Sequence, residues 1–513
     1  MKKIFTTLFT PAVALMLFQS CQKDISTFHD IQPYSFSSID STGGEWKPIY
    51  ISGGDAVSIP NPADVISVEY QAEIEAMKTT MGNATDNERA AVQYWGTNSA
   101  VRWNEISRDL VAKYNLPPAP NEDGTYGIPN STDPSVYPYF PFAHPPYASR
   151  VYAYLSVATY DALVVVWNQK YKHHRLAPYK VDGNISPLLP GNDLPGFPSE
   201  DAAIAAASKA ILAFMFPLEV DYIAGKAIEA QNSRMWGGMN VQSDITAGDS
   251  IGRAVANMLI DKAKGDGMKF AQVSQHVADS LETAADNIYG YHWENLEVPQ
   301  RPIGIAPFFG HVKLWFVPSV LDVRPSPPPA IGSEEYNNAV NELNDYQKHL
   351  TDNQEDLVFF WNDGAGTYTP AGHWNNLASE YIIQNQLNPL RTARALGYLN
   401  ASMMDAAICC WDNKYYFHFP RPSGADPEIK TLLGVPNFPS YTSGHSTFSG
   451  SACTVLSYLF PEGSGYFTQL ANDASNSRKY ACIHFSFDCS AGLTCGINIG
   501  GFSVAAAQAD GAN

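Results

Sequence analysis

The chain has 513 residues, of which 32 are Lys or Arg and 51 are Asp or Glu, giving a formal net charge of −19. Only 16% of the residues are charged and 45% are hydrophobic, which excludes an intrinsically disordered chain, since disorder combines low hydrophobicity with high charge. The acidic balance also excludes nucleic acid as a partner, because phosphate backbones are bound by clustered Lys and Arg. A small basic pocket within an acidic surface stays compatible with these numbers.

The first 21 residues have the layout of an export signal. Lys2 and Lys3 precede an apolar stretch over 4–18, and Ser20 precedes Cys21. A small residue followed by Cys at this point is typical of a bacterial lipoprotein signal, in which the Cys becomes the lipidated N-terminus. We therefore predict an outer-membrane or cell-surface lipoprotein whose only attachment to a membrane is a lipid anchor at Cys21. An ordinary cleaved signal, which would leave a periplasmic protein, is the alternative.

Beyond the signal the chain divides by pattern. Residues 22–62 are rich in Ser, Gly and Pro without a helical period, and predict a tether with an irregular arm. From residue 63 onward, apolar residues recur at three- and four-residue intervals, which is the period of amphipathic helices. The segments with this period are 64–93, 142–170, 199–231, 245–265, 334–355, 373–385 and 390–411.

These segments predict an all-α protein made of two helical-bundle halves. We expect an N-terminal bundle over 63–332 and a C-terminal helical domain over 333–513, with Pro- and Gly-rich loops at 176–198 and 317–332. No internal repeat of fixed period is found in the sequence. Six cysteines lie in the last quarter of the chain, where disulfides and buried free thiols are equally compatible with the pattern. They lack zinc-ligand spacing. They are Cys409, Cys410, Cys453, Cys482, Cys489 and Cys495.

Three cations stand out in the last hundred residues. Lys414 and Arg421 are separated by six residues and followed by Pro422, and Arg478 directly follows Ser477. Arg offers a planar fork for oxyanions and Lys a point charge. Taken singly, each cation could be the solvated end of a helix. Their spacing relative to two histidine segments indicates an oxyanion pocket in the C-terminal bundle instead.

The first histidine segment reads Ser443-Gly444-His445 and directly precedes a helical pattern over 448–459. This places the Ser443 hydroxyl and the Gly444 amide at a helix N-terminus, where free N–H groups and the helix dipole favour an anion. Glycine also lets the backbone approach a ligand closely. An ordinary helix cap is the alternative for Ser443 alone.

The second histidine segment contains His484 and Asp488, four residues apart. Two histidines in one pocket supply a nucleophile or metal ligand and a proton-transfer group. Asp488 is expected on the same helix face as His484, where it would fix the imidazole tautomer. The six-residue step from Arg478 to His484 is not same-face spacing, so Arg478 is expected to reach round from the start of a helix.

These segments resemble the signature of a superfamily that unites type 2 phosphatidic acid phosphatases, bacterial class A acid phosphatases and vanadium-dependent haloperoxidases. That signature is Lys-x6-Arg-Pro, Pro-Ser-Gly-His and Ser-Arg-x5-His-x3-Asp, and Thr442 here stands in place of its second proline. The resemblance implies that His445 is the acid–base group, with Asp488 beside His484. It also implies an oxyanion held by Lys414, Arg421, Ser443, the Gly444 amide and Arg478, with His484 as its covalent or coordinate partner.

The same pocket serves two chemistries in this superfamily. In the phosphatases the histidine equivalent to His484 attacks phosphorus to form a phosphohistidine, and the equivalent of His445 protonates the leaving oxygen. In the haloperoxidases the equivalent of His484 is instead the metal ligand and binds vanadate. Hydrogen peroxide and halide then give hypohalous acid. Vanadate and phosphate share charge and shape, so phosphate can occupy the vanadate site.

Three further residues resemble the haloperoxidase branch. Trp411 and Phe438 lie where fungal-type chloroperoxidases carry Trp and Phe beside the vanadate, although plain core packing explains them equally well. Asp363 resembles an Asp that pairs with the third-motif Arg, and is therefore the expected partner of Arg478. His373 is expected at the mouth of the pocket.

The resemblance thus implies a vanadium-dependent haloperoxidase-like oxidoreductase that uses vanadate, hydrogen peroxide and halide. An acid phosphatase acting on a phosphate ester through the same residues is the alternative, and a non-catalytic oxyanion-binding lipoprotein is the third. The halide, the organic acceptor and the oligomeric state stay open.

Overall fold

The structure is a computed structural model that describes residues 32–36 and 38–512. The predicted signal over 1–21 and the lipid anchor at Cys21 lie outside the described residues, as does the first part of the predicted arm. They stay predictions, and so does the division of the chain at residue 333.

The described part of the chain is helical and contains no β-strand, as the sequence predicts. Irregular loops and short 3-10 turns join seventeen α-helices. In chain order they are α1 Val68–Gly82, α2 Asp86–Thr97, α3 Ser99–Tyr114, α4 Pro145–His173, α5 Pro178–Val181, α6 Glu200–Met215, α7 Val220–Trp236, α8 Gln242–Lys264, α9 Gln275–Tyr289, α10 Glu334–His349, α11 Asp352–Phe360, α12 Thr369–Gln384, α13 Pro389–Phe417, α14 Pro422–Ala425, α15 Gly444–Leu459, α16 Ser464–Tyr480 and α17 Ser486–Gln508.

Local sequence signals fix many of the helix ends. Polar N-cap side chains accept a backbone N–H from the first turn, and the central helices α4 and α13 begin with Pro, whose fixed φ suits that position. The predicted segment 199–231 is two helices, because Pro217 lacks the N–H that would continue α6. The segments 64–93 and 334–355 are likewise two helices each. Helices α3, α9, α16 and α17, with the four-residue α5 and α14, lie in none of the predicted segments.

The centre of the molecule is the contact between α4 and α13, which are 29 residues long and buried along most of their length. One continuous hydrophobic core includes residues of both helices and of their neighbours. The helices around α4 and those around α13 therefore share one core. Helices α15 and α17 pack on α13 as α6 and α8 pack on α4, while α16 packs on α15 as α7 packs on α6.

These two groups of helices are copies of one another, a repeat that the sequence analysis did not find. Helices α4 to α8 correspond in order to α13 to α17. The two members of each pair have the same length and begin 244 residues apart (389 minus 145). We call residues 144–267 the N-terminal copy and residues 388–511 the C-terminal copy. At this offset 33 of the 124 residues are identical, so the repeat shows in the sequence as well as in element lengths and buried contacts.

Buried ion pairs repeat at the same offset. Arg150 Nε lies 2.7 Å from Asp266 Oδ2, and Arg394 Nε lies 2.6 Å from Asp510 Oδ2. In each copy the same guanidinium also donates to a helix carbonyl three residues before its Asp. These pairs tie the last helix of each copy to its central helix.

Two buried carboxylates repeat in the same way. Asp161 accepts the backbone N–H groups of residues 49–51, and Asp405 accepts those of residues 315–317. Each carboxylate anchors the segment of chain that approaches its central helix. The copies therefore share the way in which loops are attached as well as the helices themselves.

Among the described residues, one helix is long and apolar enough by length and composition to cross a membrane, and it is α17. In the structure α17 packs closely on α15. A Cβ added at Gly492 would lie 2.8 Å from the Ser443 carbonyl oxygen, and one at Gly496 would lie 2.2 Å from that of Thr447. The apolar character of α17 thus serves helix packing inside the bundle.

Candidate active site

The ends of four helices converge on one buried pocket in the C-terminal copy, and they bring the three sequence motifs together. Lys414 is in the last turn of α13, and Arg421 is in the loop that follows it. Ser443 caps α15, Arg478 is in the last turn of α16, and His484 stands just before α17. Arg478 therefore comes from the end of a helix, which corrects the expectation that it lies at a helix start.

His484 is held by contacts at both ring nitrogens. Its Nδ1 lies 3.1 Å from Asp488 Oδ2, and its Nε2 lies 3.0 Å from Arg421 Nη1. Burial raises the pKa of Asp488 to about 6, so this carboxylate is ionised at neutral pH and accepts the Nδ1 proton. The lone pair of His484 is consequently on Nε2, the atom that faces the cations.

The contact between His484 and Asp488 has a different origin from the one predicted. The two residues do not share a helix face, because His484 precedes α17 and Asp488 is the third residue of that helix. The Asp488 carboxylate instead turns back over the helix N-terminus, where it accepts the Phe485 N–H at 3.1 Å. This arrangement satisfies a free helix amide and orients the imidazole with one side chain.

The charge state of His484 follows from its surroundings. Burial, together with the positive charges of Arg421 and Lys414, lowers the pKa of His484 well below its usual value. The imidazole is therefore neutral at neutral pH, as a group that donates a lone pair must be.

Lys414 is fully buried and uses its three N–H groups on backbone carbonyls. Its Nζ donates to Pro439 at 2.8 Å, Ser440 at 2.9 Å and Thr442 at 2.7 Å. Burial lowers the pKa of Lys414 to about 7. In this structure Lys414 thus orders the loop before α15 and supplies charge from behind it, whereas the sequence predicted direct contact with an oxyanion.

The two arginines are also buried and oriented by carbonyl groups. Arg421 donates through Nε and Nη2 to the Phe438 carbonyl, at 3.1 and 3.0 Å. Arg478 donates through Nη2 to the Val358 carbonyl at 3.2 Å, and through Nε to Ser477 Oγ at 2.9 Å. Burial lowers the pKa of each guanidinium to about 10, so both stay charged at neutral pH.

The N-terminus of α15 leaves open space beside these cations. The Ser443 side chain accepts the Ser446 N–H. The backbone N–H of Ser443 donates to the backbone carbonyl of Asp488 at 3.0 Å. A Cβ added at Gly444 would meet no atom within 4 Å. A helix N-terminus, three buried cations and free volume at Gly444 together suit a small oxyanion.

Asp363 is shared among several partners. Its Oδ2 lies 3.6 Å from His445 Nε2 and 3.1 Å from His373 Nδ1, and its charge raises the pKa of Arg478 against the effect of burial. Asp363 therefore stabilises the predicted partner Arg478 electrostatically, while it also contacts both histidines. His373 is buried against the Trp361 ring at 4.2 Å, and so does not lie at the pocket mouth. The His445 side chain is 16% exposed on the open face of the pocket.

Phe438 and Trp411 form one wall of the site. The Phe438 ring centroid lies 5.0 Å from Lys414 Nζ and 5.1 Å from Arg421 Cζ, which are cation–π distances. Trp411 packs on the Phe438 ring at 4.9 Å, and its indole N–H donates to the Ile305 carbonyl. Phe438 thus lines the pocket, and Trp411 supports it from the core.

Two residues at the site were not singled out from the sequence. The Ser440 hydroxyl donates to Asp488 and lies 3.2 Å from His484 Nδ1. The Cys489 thiol is hydrogen-bonded to Ser443 and Ser446, and burial raises its pKa to about 12, so that it stays protonated. Each flanks a motif residue, which was the only signal for it in the sequence.

Comparison with known proteins supports the resemblance seen in the sequence. Residues 395–511 match the family model described as the PAP2 superfamily, and this range contains all three motifs and most of the C-terminal copy. The suspected superfamily resemblance is therefore confirmed over this part of the chain. No curated protein sequence gives a significant match.

Solved structures that are similar to 70–74% of this chain include bacterial vanadium-dependent haloperoxidases. An iodoperoxidase described as the first bacterial one matches with a TM-score of 0.56 and 24% identity, covering 71% of this chain and 91% of its own. The apo form of a chloroperoxidase matches with a TM-score of 0.50 and 14% identity, covering 70% of this chain and 93% of its own. The holo form of a chloroperoxidase matches with a TM-score of 0.51 and 14% identity, covering 74% of this chain and 96% of its own. At these identities the likeness establishes a shared all-α fold.

Proposed function

We propose that the protein is a vanadium-dependent haloperoxidase-like enzyme that oxidises halide with hydrogen peroxide. The observation that carries this proposal is the pocket itself. Lys414, Arg421 and Arg478 are buried around open volume, and a neutral His484 directs its lone pair toward them. Asp363 and Asp488 supply two buried carboxylates against these three cations, so an oxyanion would compensate the remaining positive charge.

The donor set fits vanadate, which is tetrahedral and anionic. Arg421, Arg478, Ser443 and the Gly444 amide offer hydrogen bonds and charge, and Lys414 adds charge from behind the loop. When bound, vanadate would activate hydrogen peroxide toward attack by halide. His484 Nε2 would be its protein ligand, with Asp488 fixing the tautomer through Nδ1.

His445 is the proposed acid–base group. It stands on the open face of the pocket, where hydrogen peroxide enters, and its Nε2 is 3.6 Å from Asp363. A proton taken from peroxide by His445 gives an imidazolium, which the Asp363 carboxylate stabilises. Asp363 is in turn held by His373, and this contact fixes the carboxylate beside His445, the proton acceptor.

An acid phosphatase is the second candidate, and the match of residues 395–511 to the PAP2 superfamily favours it. In that reaction the His484 Nε2 lone pair attacks phosphorus, and the P–O bond to the leaving group breaks while His445 protonates that oxygen. The aromatic wall of Phe438 and Trp411 supports the haloperoxidase instead, as does the likeness of 71% of the chain to a bacterial vanadium-dependent iodoperoxidase.

The deciding experiment uses the full chain freed of bound anion. Purified protein is loaded with orthovanadate and assayed for iodide and bromide oxidation with hydrogen peroxide, beside an assay with an aryl phosphate. We expect halide oxidation that requires vanadate and is lost in His484→Ala. Aryl phosphate turnover without any vanadate-dependent halide oxidation would instead establish the phosphatase.

We further propose that the protein is exported and anchored through Cys21. Cells grown with labelled fatty acid should incorporate the label into the wild-type chain and not into Cys21→Ala. Equal labelling of both would overturn the anchor.

A further inference from the structure

The N-terminal copy contains a counterpart of the active-site pocket. At the offset of 244 residues, five site positions have the same residue type or a polar replacement, whereas Arg421 is replaced by Ala177. Lys170, Ser199, Arg234, Asn240 and Asp244 stand where Lys414, Ser443, Arg478, His484 and Asp488 stand in the C-terminal copy.

The backbone contacts of the two pockets agree as well. The Ser199 N–H donates to the Asp244 carbonyl at 2.9 Å, as that of Ser443 donates to Asp488 at 3.0 Å. Lys170 Nζ donates to the Pro195 carbonyl, and Lys414 Nζ donates to the carbonyl at the equivalent position. The N-terminal pocket is therefore built on the same frame.

Acidic residues make the difference between the pockets. Glu200 and Asp201 occupy the first two positions of α6, where α15 has Gly444 and His445. The Glu200 carboxylate lies 2.8 Å from Lys170 Nζ, and the Asp201 carboxylate lies 3.0 Å from Arg234 Nε. Both cations of the N-terminal pocket are thus compensated from within the chain.

Little volume is left beside these ion pairs. A cavity of about 50 Å³ is lined by residues that include Ser99, Glu200, Asp201 and Arg234. This is room for a few water molecules, since one molecule needs ~10–15 Å³ of such volume. At Gly444, by contrast, the equivalent side-chain direction is open.

We propose that the N-terminal pocket is a second oxyanion site whose anion is the chain's own Glu200 carboxylate. The carboxylate stands at the helix N-terminus and against the lysine, where the C-terminal copy offers open space. Asp201 completes the compensation by pairing with Arg234. The chain therefore has one pocket for an exchangeable oxyanion and one that is closed by a built-in anion. This inference does not depend on halide oxidation or phosphate ester hydrolysis.

The proposal predicts that the site reopens when the built-in anion is removed. Glu200→Gly with Asp201→His restores the Ser-Gly-His sequence of the other pocket, and leaves Lys170 and Arg234 without carboxylates. Such a pocket should bind a tetrahedral oxyanion such as inorganic phosphate. The matched control is Glu200→Gln with Asp201→Asn, which removes the same charge but keeps the space filled.

Both double variants are made in an Arg478→Ala background, so that phosphate binding at the C-terminal pocket does not interfere. We expect both to have a lower Tm than the background protein in phosphate-free buffer. The variant with Glu200→Gly and Asp201→His should bind one equivalent of inorganic phosphate, which should raise its Tm. In the control with Glu200→Gln and Asp201→Asn, phosphate should raise the Tm only as much as in the Arg478→Ala background protein. Equal gains in both variants, or no bound phosphate in the Gly/His variant, would overturn the proposal.

The Gly/His variant also has a test if it does not fold in phosphate-free buffer. It is then refolded from denaturant with and without phosphate, beside the Gln/Asn control. A refolding yield that requires phosphate only in the Gly/His variant supports the proposal. Failure to refold under both conditions contradicts it.

Discussion

Equivalent buried cations have different partners in the two copies. In the N-terminal copy, Glu200 neutralises Lys170 and Asp201 neutralises Arg234. In the C-terminal copy, carbonyl groups orient Lys414 and the arginines around open space. One helical frame thus supports either a closed structural core or a pocket for an anion, and a few residues at a helix N-terminus decide which. Four predictions test that comparison.

The largest expected effect is on stability, at the matched arginines Arg234 and Arg478. Arg234→Met leaves Asp201 buried without its cation, which costs about 3–5 kcal/mol of unfolding free energy. Arg478→Met in anion-free protein should cost less, about 1–3 kcal/mol, because the Val358 carbonyl loses that donor while Asp363 keeps its contact with His373. Urea unfolding of the three proteins measures both values. Equal losses would contradict the difference between the copies.

The next effect is stabilisation by ligand. Orthovanadate at about 100 times its Kd should add about 2.7 kcal/mol to the unfolding free energy of the wild type, because it binds only the folded state. The gain should vanish in Arg478→Met and persist in Arg234→Met. Thermal unfolding of each protein with and without vanadate provides the measurement, and a gain retained by Arg478→Met would place the anion elsewhere.

A third effect is the pH dependence that Lys414 imposes. Burial lowers the folded-state pKa of Lys414 to about 7, whereas an unfolded Lys titrates near ~10.4. Between these values the unfolded chain binds the extra proton, so this group makes the anion-free protein more stable as pH rises, by up to about 1.4 kcal/mol per pH unit.

The contribution of Lys414 is isolated by subtracting the unfolding free energy of Lys414→Met from that of the wild type between pH 6 and pH 9. That difference should increase above pH ~7 in anion-free buffer. A bound oxyanion keeps Lys414 protonated, so oxyanion affinity should fall over the same range. A difference that stays flat with pH would show that Lys414 is charged throughout.

The smallest effect expected is that of a reducing agent. All six cysteines of the C-terminal copy are free thiols in the structure, and the N-terminal copy has no cysteine. Dithiothreitol should leave the Tm unchanged, and the partly exposed Cys453 should be alkylated first under native conditions. A Tm that falls on reduction would reveal a disulfide.

Much of the fold could be predicted because most helices present one apolar face. Helix α3 was missed although its sequence is amphipathic, because it buries polar side chains such as Arg102 and Glu105, which a search for apolar positions passes over. The repeat was missed because its offset of 244 residues is almost half of the 513-residue chain and therefore gives no short period. The copies agree in helix lengths and buried ion pairs, such as Arg150–Asp266 and Arg394–Asp510, which connect residues far apart in the sequence.

The site could be predicted as a set of residues but not as a set of contacts. The motif spacings identify the cations and histidines. They do not show that Lys414 donates hydrogen bonds to three backbone carbonyls. They also placed His484 and Asp488 on one helix face, although a helix cap joins them. Such contacts depend on where loops end, and spacing along the chain does not determine that.

The measurement that tests the account most directly is equilibrium binding of orthovanadate to the purified, anion-free full chain. We expect one vanadate per chain in the wild type, in Arg234→Met and in Asn240→Ala, and none in Arg478→Met or His484→Ala. Binding of two equivalents by the wild type would show that the N-terminal pocket is open. Undiminished binding by Arg478→Met and His484→Ala would show that the C-terminal pocket is not the oxyanion site.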